Sequence, residues 1–226
     1  MTVPVELAEL LTTRRSTRRF DTDRTVPDDV LDRVLAAPLA MPHAGNTYDW
    51  RGIVLRRTQR EPETWPAVFD ALMRQSYVEE ADVLIAWAVQ PGWWADQYRG
   101  NVQRLVDRGL IDLDRAGDLL AMVNAEPDLR HLTVGLVGEA MMGISAAMLV
   151  AIDAGLGATV TACKPKELTA ALGIPGDAVV CQWGVLAIGW PAGTPAPDGA
   201  AAPKPAVHEQ YFEGSWGEPR RGHGGG

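Results

Sequence analysis

A cluster of guanidinium groups lies close to the amino terminus of the chain. The run RRSTRRF at 14–20 places four arginines around Ser16. Guanidinium groups match phosphate oxygens with paired hydrogen bonds, and a serine hydroxyl adds a neutral donor. The run therefore predicts an anion site. The alternative is a solvated basic turn, because cations are also favourable at the end of a helix.

A polar loop, PHAGNTYDWR at 42–51, is the second candidate for chemistry. The Asn46 amide offers both a donor and an acceptor, which is what reading the edge of a heteroaromatic ring requires. The alternative is an ordinary turn, because glycine and asparagine are common turn residues. This loop carries little weight without the arginine run.

The elements that must position these residues mix helices and strands. Helical spacing predicts helices over 3–13, from Pro27 to Pro38, over 66–75, over 96–124 with an interruption near Gly109, over 132–154 and over 165–172. Apolar runs predict strands over 50–55, 81–89, 159–163 and 179–188. No regular alternation of strand and helix appears, which favours an α+β fold over a doubly wound sheet. No GxGxxG follows a strand and no Walker loop is present, so a dinucleotide-binding Rossmann domain is not expected.

Composition narrows the classes of function. The chain has 226 residues and a net charge of −8, which predicts one main domain and argues against nucleic acid as a partner. Two cysteines without metal-like spacing, and no recognisable signal peptide, favour a reduced, cytoplasmic protein. No metal site is predicted. The apolar stretch 132–156 contains two acidic residues and four glycines, so we expect a buried helix packed against a partner subunit and no membrane span.

The order of these motifs resembles the nitroreductase-like flavoprotein family. Its members open with a short helix and an Arg-Arg-Ser-x-Arg-x-Phe motif, followed by one helix and a loop similar to Pro-Ser-x-x-Asn-x-Gln-Pro-Trp. This chain has RRSTRRF at 14–20, MPHAGNTYDWRGIVL at 41–55, EEADVLIAWAV at 79–89 and WGVLAIGWPA at 183–192. The resemblance covers most of residues 6–192.

The resemblance implies the fold and the cofactor. It predicts a mostly antiparallel central sheet flanked by helices, built as an intertwined homodimer with FMN in two interface clefts. Arg14, Ser16 and Arg18 would bind the FMN phosphate and ribityl oxygens, and Arg15 would lie near the pyrimidine side of the ring. A second set would reach the flavin from the other subunit, namely Pro42, His43 and Asn46.

Several positions depart from the family pattern. His43 replaces a serine, and Tyr48 and Asp49 replace Gln-Pro. The segment TVTACKP at 159–165 lacks the family's glycines, which brings Cys163 into consideration as a substrate contact; the alternative is a buried cysteine at a strand end.

Two further sets of site residues follow from the family's layout. Trp93 and Trp94 fall where the family's substrate-covering insertion lies, and either stack on a planar substrate or pack onto the domain. Lys204 is the candidate for completing the phosphate site, against a solvated lysine in a mobile arm. The predicted division is a flavin domain over 1–192, an extended arm over 193–221 and a disordered tail over 222–226.

The resemblance predicts an FMN-dependent oxidoreductase that transfers hydride from NAD(P)H to a small organic acceptor, such as a nitro compound or a quinone, by a ping-pong mechanism. One alternative is a flavin-dependent dehydrogenase or oxidase that desaturates a small metabolite or a peptide-derived ring. A non-catalytic flavin-binding protein is the other.

Overall fold

The computed structural model describes residues 6–125, 128–193, 205 and 207–217. The chain divides into two units, Met1–Gly193 and Thr194–Gly226. In the described part of the first unit the helices are α1 Leu7–Thr13, α2 Asp28–Ala36, α3 Trp65–Ala71, α4 Ser76–Glu80, α5 Trp94–Asp107, α6 Leu113–Asn124, α7 Leu129–Asp153 and α8 Pro165–Ala171. Four strands accompany them, β1 Trp50–Arg56, β2 Val83–Val89, β3 Gly157–Thr161 and β4 Val179–Gly189. Short 3₁₀ turns cover Ala37–Ala40, Ala44–Asn46, Arg57–Gln59 and Pro91–Trp93. In the second unit, α9 spans Val207–Gln210.

The four strands form one sheet in the order β1-β2-β4-β3. Every neighbouring pair is antiparallel, which confirms the prediction of an antiparallel sheet in an α+β fold. Register shifts between Ala86 and Ala88 where β2 meets β4. Among the described residues, β3 lies at one edge of the sheet, with β4 as its strand neighbour.

Helices cover both faces of this sheet, which explains why β2 is apolar throughout. Val83, Ile85 and Trp87 pack into a core with α2, α5, α6 and α7. Leu84 and Ala86 point the opposite way, into a second core with α3, α4 and α8. Successive side chains of a strand alternate between faces, so a strand buried on both sides carries no polar positions.

The helix α7 is the longest and most apolar of the long helices in the described chain. Asp128 caps its amino terminus by accepting a hydrogen bond from the Arg130 N–H at 2.8 Å. Gly155 follows its end, and its N–H donates to the Ile152 carbonyl at 2.9 Å. The helix is long and apolar enough to cross a bilayer. In the single chain, 33% of its most apolar 18-residue window is buried. A core helix of a soluble protein meets the same criterion.

Most predicted elements are confirmed to within a few residues, and the interruption near Gly109 separates α5 from α6. The helix predicted over 66–75 was wrong at its end. α3 stops at Ala71, and Met73 and Arg74 adopt left-handed φ values of 60° and 51°. The chain then turns into the short helix α4, which the sequence pattern did not predict.

Candidate functional site

The arginine segment at 14–20 is fixed to the edge of the sheet. The Thr17 N–H donates to the Ala158 carbonyl of β3 at 3.1 Å, and Phe20 forms an isolated bridge with Pro191. A Cβ on Gly157 would lie 2.5 Å from Cγ2 of Thr17. The absence of a side chain at position 157 therefore lets the segment lie against the first residues of β3.

Two arginines of the segment are held by contacts within the protein. Arg15 Nη1 lies 3.1–3.2 Å from the carbonyl oxygens of residues 12–14, at the end of α1. The Nε of Arg19 lies 3.3 Å from a carboxylate oxygen of Glu80. The Arg15 contacts compensate the partial negative charge at the carboxyl end of α1, whereas the exposed Arg19–Glu80 pair is a surface contact.

Arg14, Ser16 and Arg18 remain open on this segment. Arg14 is half-buried, and Ser16 and Arg18 are exposed. In the described chain neither guanidinium lies within 4 Å of a carboxylate. Two unpaired guanidinium groups and one hydroxyl are the donor set that a phosphate dianion requires.

His43 in the polar loop uses both ring nitrogens within the protein. The Trp50 indole N–H donates to Nε2 at 2.8 Å, and Nδ1 lies 2.8 Å from the Met41 carbonyl. Indole can only donate, so Nε2 accepts and the proton resides on Nδ1, which donates to Met41. The histidine fixes the loop and its nitrogens are engaged.

Helix α5 clamps the same loop. The amide nitrogen of Asn101 donates to the carbonyls of Gly45 at 2.7 Å and Asn46 at 2.8 Å. The Tyr98 ring lies so close that a Cβ on Gly45 would meet it at 2.2 Å. Gly45 and Asn46 both have positive φ, 66° and 53°. The loop conformation therefore depends on α5, and the exposed Asn46 is presented at its tip.

Asp49 ends the loop as a buried carboxyl group. Its Oδ1 accepts a hydrogen bond from Gln97 Nε2 at 2.7 Å, whereas Oδ2 has no hydrogen-bond partner among the described residues. Burial raises the pKa of Asp49; the nearby Thr47 hydroxyl opposes the rise, and the charge of Glu139 adds to it. Glu139 of α7 also accepts from the Ala44 N–H at 3.0 Å, which ties the loop to α7.

The two neighbouring tryptophans occupy different environments. Trp94 is 4% exposed and packs on Tyr98 with ring centroids 5.3 Å apart. The Arg51 guanidinium lies 4.4 Å from the centre of the Trp93 ring, which is 37% exposed. Trp94 is thus a core residue, in agreement with the packing alternative, and Trp93 keeps one accessible face.

Cys163 lies in the core beneath α8. It is 4% exposed, and its thiol lies 3.7 Å from the Cys181 carbonyl oxygen. Burial raises the pKa of the Cys163 thiol to about 11. This environment agrees with the alternative of a buried strand-end cysteine, and it keeps the thiol protonated at neutral pH.

The remaining site predictions stay predictions. Lys204 lies outside the described residues, as does the tail over 222–226. Pro42 is exposed beside His43.

The sequence did not point to Gln97, Asn101 or Glu139, because each contacts the loop from 48 to 95 positions away.

Known proteins resemble this chain in sequence pattern and in fold. The family model described as "Nitroreductase family" matches residues 11–190. No curated protein matches the chain. The fold is similar to an enone reductase, CLA-ER, of gut-bacterial fatty acid saturation, at 20% identity and a TM-score of 0.75, over 95% of this chain and 100% of that one.

Two further solved structures share the fold. A protein from Exiguobacterium sibiricum, assigned as a nitroreductase and solved with FMN, is 19% identical over 94% of this chain and 99% of that one, with a TM-score of 0.75. A protein from Staphylococcus epidermidis, assigned as an NAD(P)H:FMN oxidoreductase, is 18% identical over 89% and 94%, with a TM-score of 0.71. These identities establish the fold, and the match over residues 11–190 confirms the family prediction. The chain belongs to the nitroreductase family.

Proposed function

We propose that this protein binds FMN on the Arg14–Ser16–Arg18 segment and passes an electron pair from NAD(P)H to a small organic acceptor. Membership of the nitroreductase family makes the chain a flavin-dependent oxidoreductase; the proposal adds the hydride donor, the acceptor and the residues. The observation that carries it is the pair of guanidinium groups beside Ser16 that have no carboxylate within 4 Å among the described residues, on a segment held against β3.

The donor set at 14–18 fits the phosphate end of the cofactor. Arg14 and Arg18 provide charge-assisted hydrogen bonds, and Ser16 adds a third donor. The Thr17 N–H bond to the Ala158 carbonyl and the Arg15 contacts at the end of α1 hold the segment in place. Pre-ordering of this kind lowers the entropic cost of binding.

The loop around Pro42, His43 and Asn46 is proposed to reach the ring from the partner subunit. Its support is that the loop is rigid, because Trp50 holds His43 and Asn101 holds the backbone. Bound FMN supplies the two-electron redox chemistry, and the protein binds and orients it. With a quinone the balance is NAD(P)H plus a proton plus quinone giving NAD(P)⁺ plus hydroquinone, with donor and acceptor entering in turn.

The partner subunit is proposed to pack on α7. Val134 and Met142 are 72% and 42% exposed on this helix. Covering such apolar side chains is favourable at about 25 cal/mol per Å². The same surface accounts for an apolar helix that one chain buries only in part. Both cysteines are free, which fits the proposed cytoplasmic location.

The test is the visible spectrum of the protein after FMN addition and desalting. We expect wild type to retain oxidised flavin bands, and an Arg14→Ala/Ser16→Ala variant to lose them. Arg19→Ala is the matched control, because it removes an arginine of the same segment that pairs with Glu80. No retained flavin in wild type, or equal retention in all three proteins, would contradict the proposal.

The reaction direction is tested on the loaded protein with NADH or NADPH, with and without a quinone. We expect nicotinamide oxidation that depends on the acceptor. Flavin that dithionite reduces but neither nicotinamide reduces would favour the dehydrogenase or the non-catalytic flavin protein instead. Candidate metabolites then distinguish those two alternatives. A dehydrogenase or oxidase consumes oxygen or another acceptor when its metabolite is added, whereas a non-catalytic flavin protein does not.

A further inference from the structure

A cavity of about 540 Å³ lies between the Ala44–Asn46 turn and helices α5 and α6. Cavities that hold small ligands in proteins measure about 300–1,000 Å³. Val102, Leu105 and Leu119 supply its apolar wall. Gly45 and Asn46 of the polar loop form another side of the cavity. The loop that is proposed to reach the flavin is therefore part of the cavity wall.

The charged part of the wall is a pair of arginines. Arg104 and Arg108 are four residues apart, on the same side of the end of α5, and both line the cavity. Neither has a carboxylate within 4 Å in the described part of the chain. Like charges four residues apart on a helix repel each other, and an anion bound by both would remove that repulsion.

Favourable interaction with the helix dipole does not account for the position of Arg104. Cations near a helix carboxyl end are stabilised by the carbonyl groups there. The Arg104 guanidinium instead donates to Oδ1 of Asn101, towards the cavity and away from the helix end. Arg104 is therefore placed along the cavity wall.

Asn101 links this arginine to the loop. Its amide nitrogen is committed to the Gly45 and Asn46 carbonyls, so its oxygen must face Arg104. Arg104 therefore contacts the same side chain that holds the loop in place. The chain of contacts joins the charged end of the cavity to Asn46.

We propose that this cavity takes the electron acceptor and selects a small conjugated carboxylate. The carboxylate would lie on Arg104 and Arg108, and the apolar body would lie against Leu105 and Leu119. The inference rests on the proposed function for the redox step, but the anion preference is a property of this chain's own residues. Asn101 is a positioning residue for the loop.

The test compares 4-nitrobenzoate with the neutral 4-nitrobenzamide, which has almost the same shape. In wild type we expect a KM for the carboxylate about tenfold below that for the amide, a typical factor for one charge-assisted hydrogen bond. An Arg104→Gln/Arg108→Gln variant is expected to lose that difference, because its KM for the carboxylate rises to that for the amide. Arg99→Gln is the matched control, because Arg99 lies on the same helix and pairs with Asp96.

Calorimetric titration with 4-nitrobenzoate, without nicotinamide, gives a readout that needs no turnover. Binding to wild type that weakens about tenfold in the double variant and stays unchanged in Arg99→Gln supports the anion site, even in protein that holds no flavin. Flavin-loaded protein that reduces both nitro compounds with equal KM in all variants overturns the inference and leaves the proposed function intact.

A phosphate of the hydride donor is the other source of an anion. If the double variant raises the KM for NADPH and leaves that for NADH and 4-nitrobenzoate unchanged, the arginines bind the 2′-phosphate. That result would overturn the assignment of the cavity to a carboxylate acceptor.

Discussion

The indole N–H of Trp50 donates to Nε2 of His43 across 2.8 Å, and the two rings meet edge to edge with centroids 6.1 Å apart and planes inclined by 28°. The contact joins the start of β1 to the loop that carries Asn46. The family resemblance leads us to expect serine at position 43. The imidazole instead forms hydrogen bonds with both the Met41 carbonyl and the Trp50 indole.

His43→Ser is expected to lower the free energy of unfolding by about 1–3 kcal/mol, because the half-buried indole N–H loses its acceptor. Urea unfolding followed by circular dichroism measures this. Trp50→Phe removes the donor, so the double variant is expected to cost less than the sum of the single variants by about 0.5–1.5 kcal/mol. Strict additivity would mean that the hydrogen bond contributes nothing.

Gly157→Ala is expected to weaken FMN binding about tenfold or more. The new Cβ would lie 2.5 Å and 2.7 Å from Cγ2 and Oγ1 of Thr17, and overpacking of this kind costs about 1–3 kcal/mol. Displacement of Thr17 moves the neighbouring Ser16 and Arg18. Flavin fluorescence quenching on titration measures the affinity.

Two variants make the Gly157 result specific. Gly176→Ala meets nothing within 4 Å and is expected to bind FMN as wild type does. Thr17→Ala removes the two nearest atoms and is expected to restore part of the affinity in the Gly157→Ala background. Unchanged affinity in Gly157→Ala alone would mean that the segment does not depend on its contact with β3.

The sheet could be predicted from the sequence because local signals specify it. Each strand is an apolar run that ends at polar or turn residues, and β2 is uniformly apolar because helices cover both of its faces. The arginine segment was also predictable, since its chemistry lies within seven consecutive residues.

The side-chain hydrogen bonds from α5 that hold the polar loop could not be predicted from the sequence. Asn101 and Gln97 are ordinary polar residues of an amphipathic helix, and only tertiary packing brings them to Gly45 and Asp49. The environment of Trp94 could not be predicted either. A tryptophan that faces a substrate and one that packs in the core look the same in the sequence, and here Trp94 lies in the core.

Val134→Glu is expected to shift the protein from dimer to monomer. Val134 is 72% exposed on α7 in the single chain, and burying a carboxylate in an apolar interface without a partner is unfavourable. Light scattering after size-exclusion chromatography measures the mass. Leu113→Glu is the control, because Leu113 is 76% exposed on α6. A wild-type monomer, or a Val134→Glu dimer of unchanged stability, would contradict the proposed interface.

The two buried thiols are expected to be unreactive in the folded protein. Burial raises the pKa of Cys163 to about 11 and that of Cys181 to about 12, and only thiolates react readily. Ellman's reagent at pH 8 is expected to modify neither cysteine until urea is added. Rapid modification of the native protein that is lost in a Cys163→Ala variant would place Cys163 near the surface, as the substrate-contact prediction requires.

The same thiols give stability a defined pH dependence. An unfolded thiol ionises near pH 8.5–9, whereas burial keeps the folded Cys163 thiol protonated up to about pH 11. The folded state therefore holds more protons between these values, so the free energy of unfolding falls as pH rises through this window, by up to about 1.4 kcal/mol per pH unit for each thiol. A Cys163→Ala/Cys181→Ala variant lacks this contribution and is expected to show a shallower decline between pH 9 and 11 in urea unfolding. Equal slopes in the two proteins would show that the thiols ionise alike in the folded and unfolded chains.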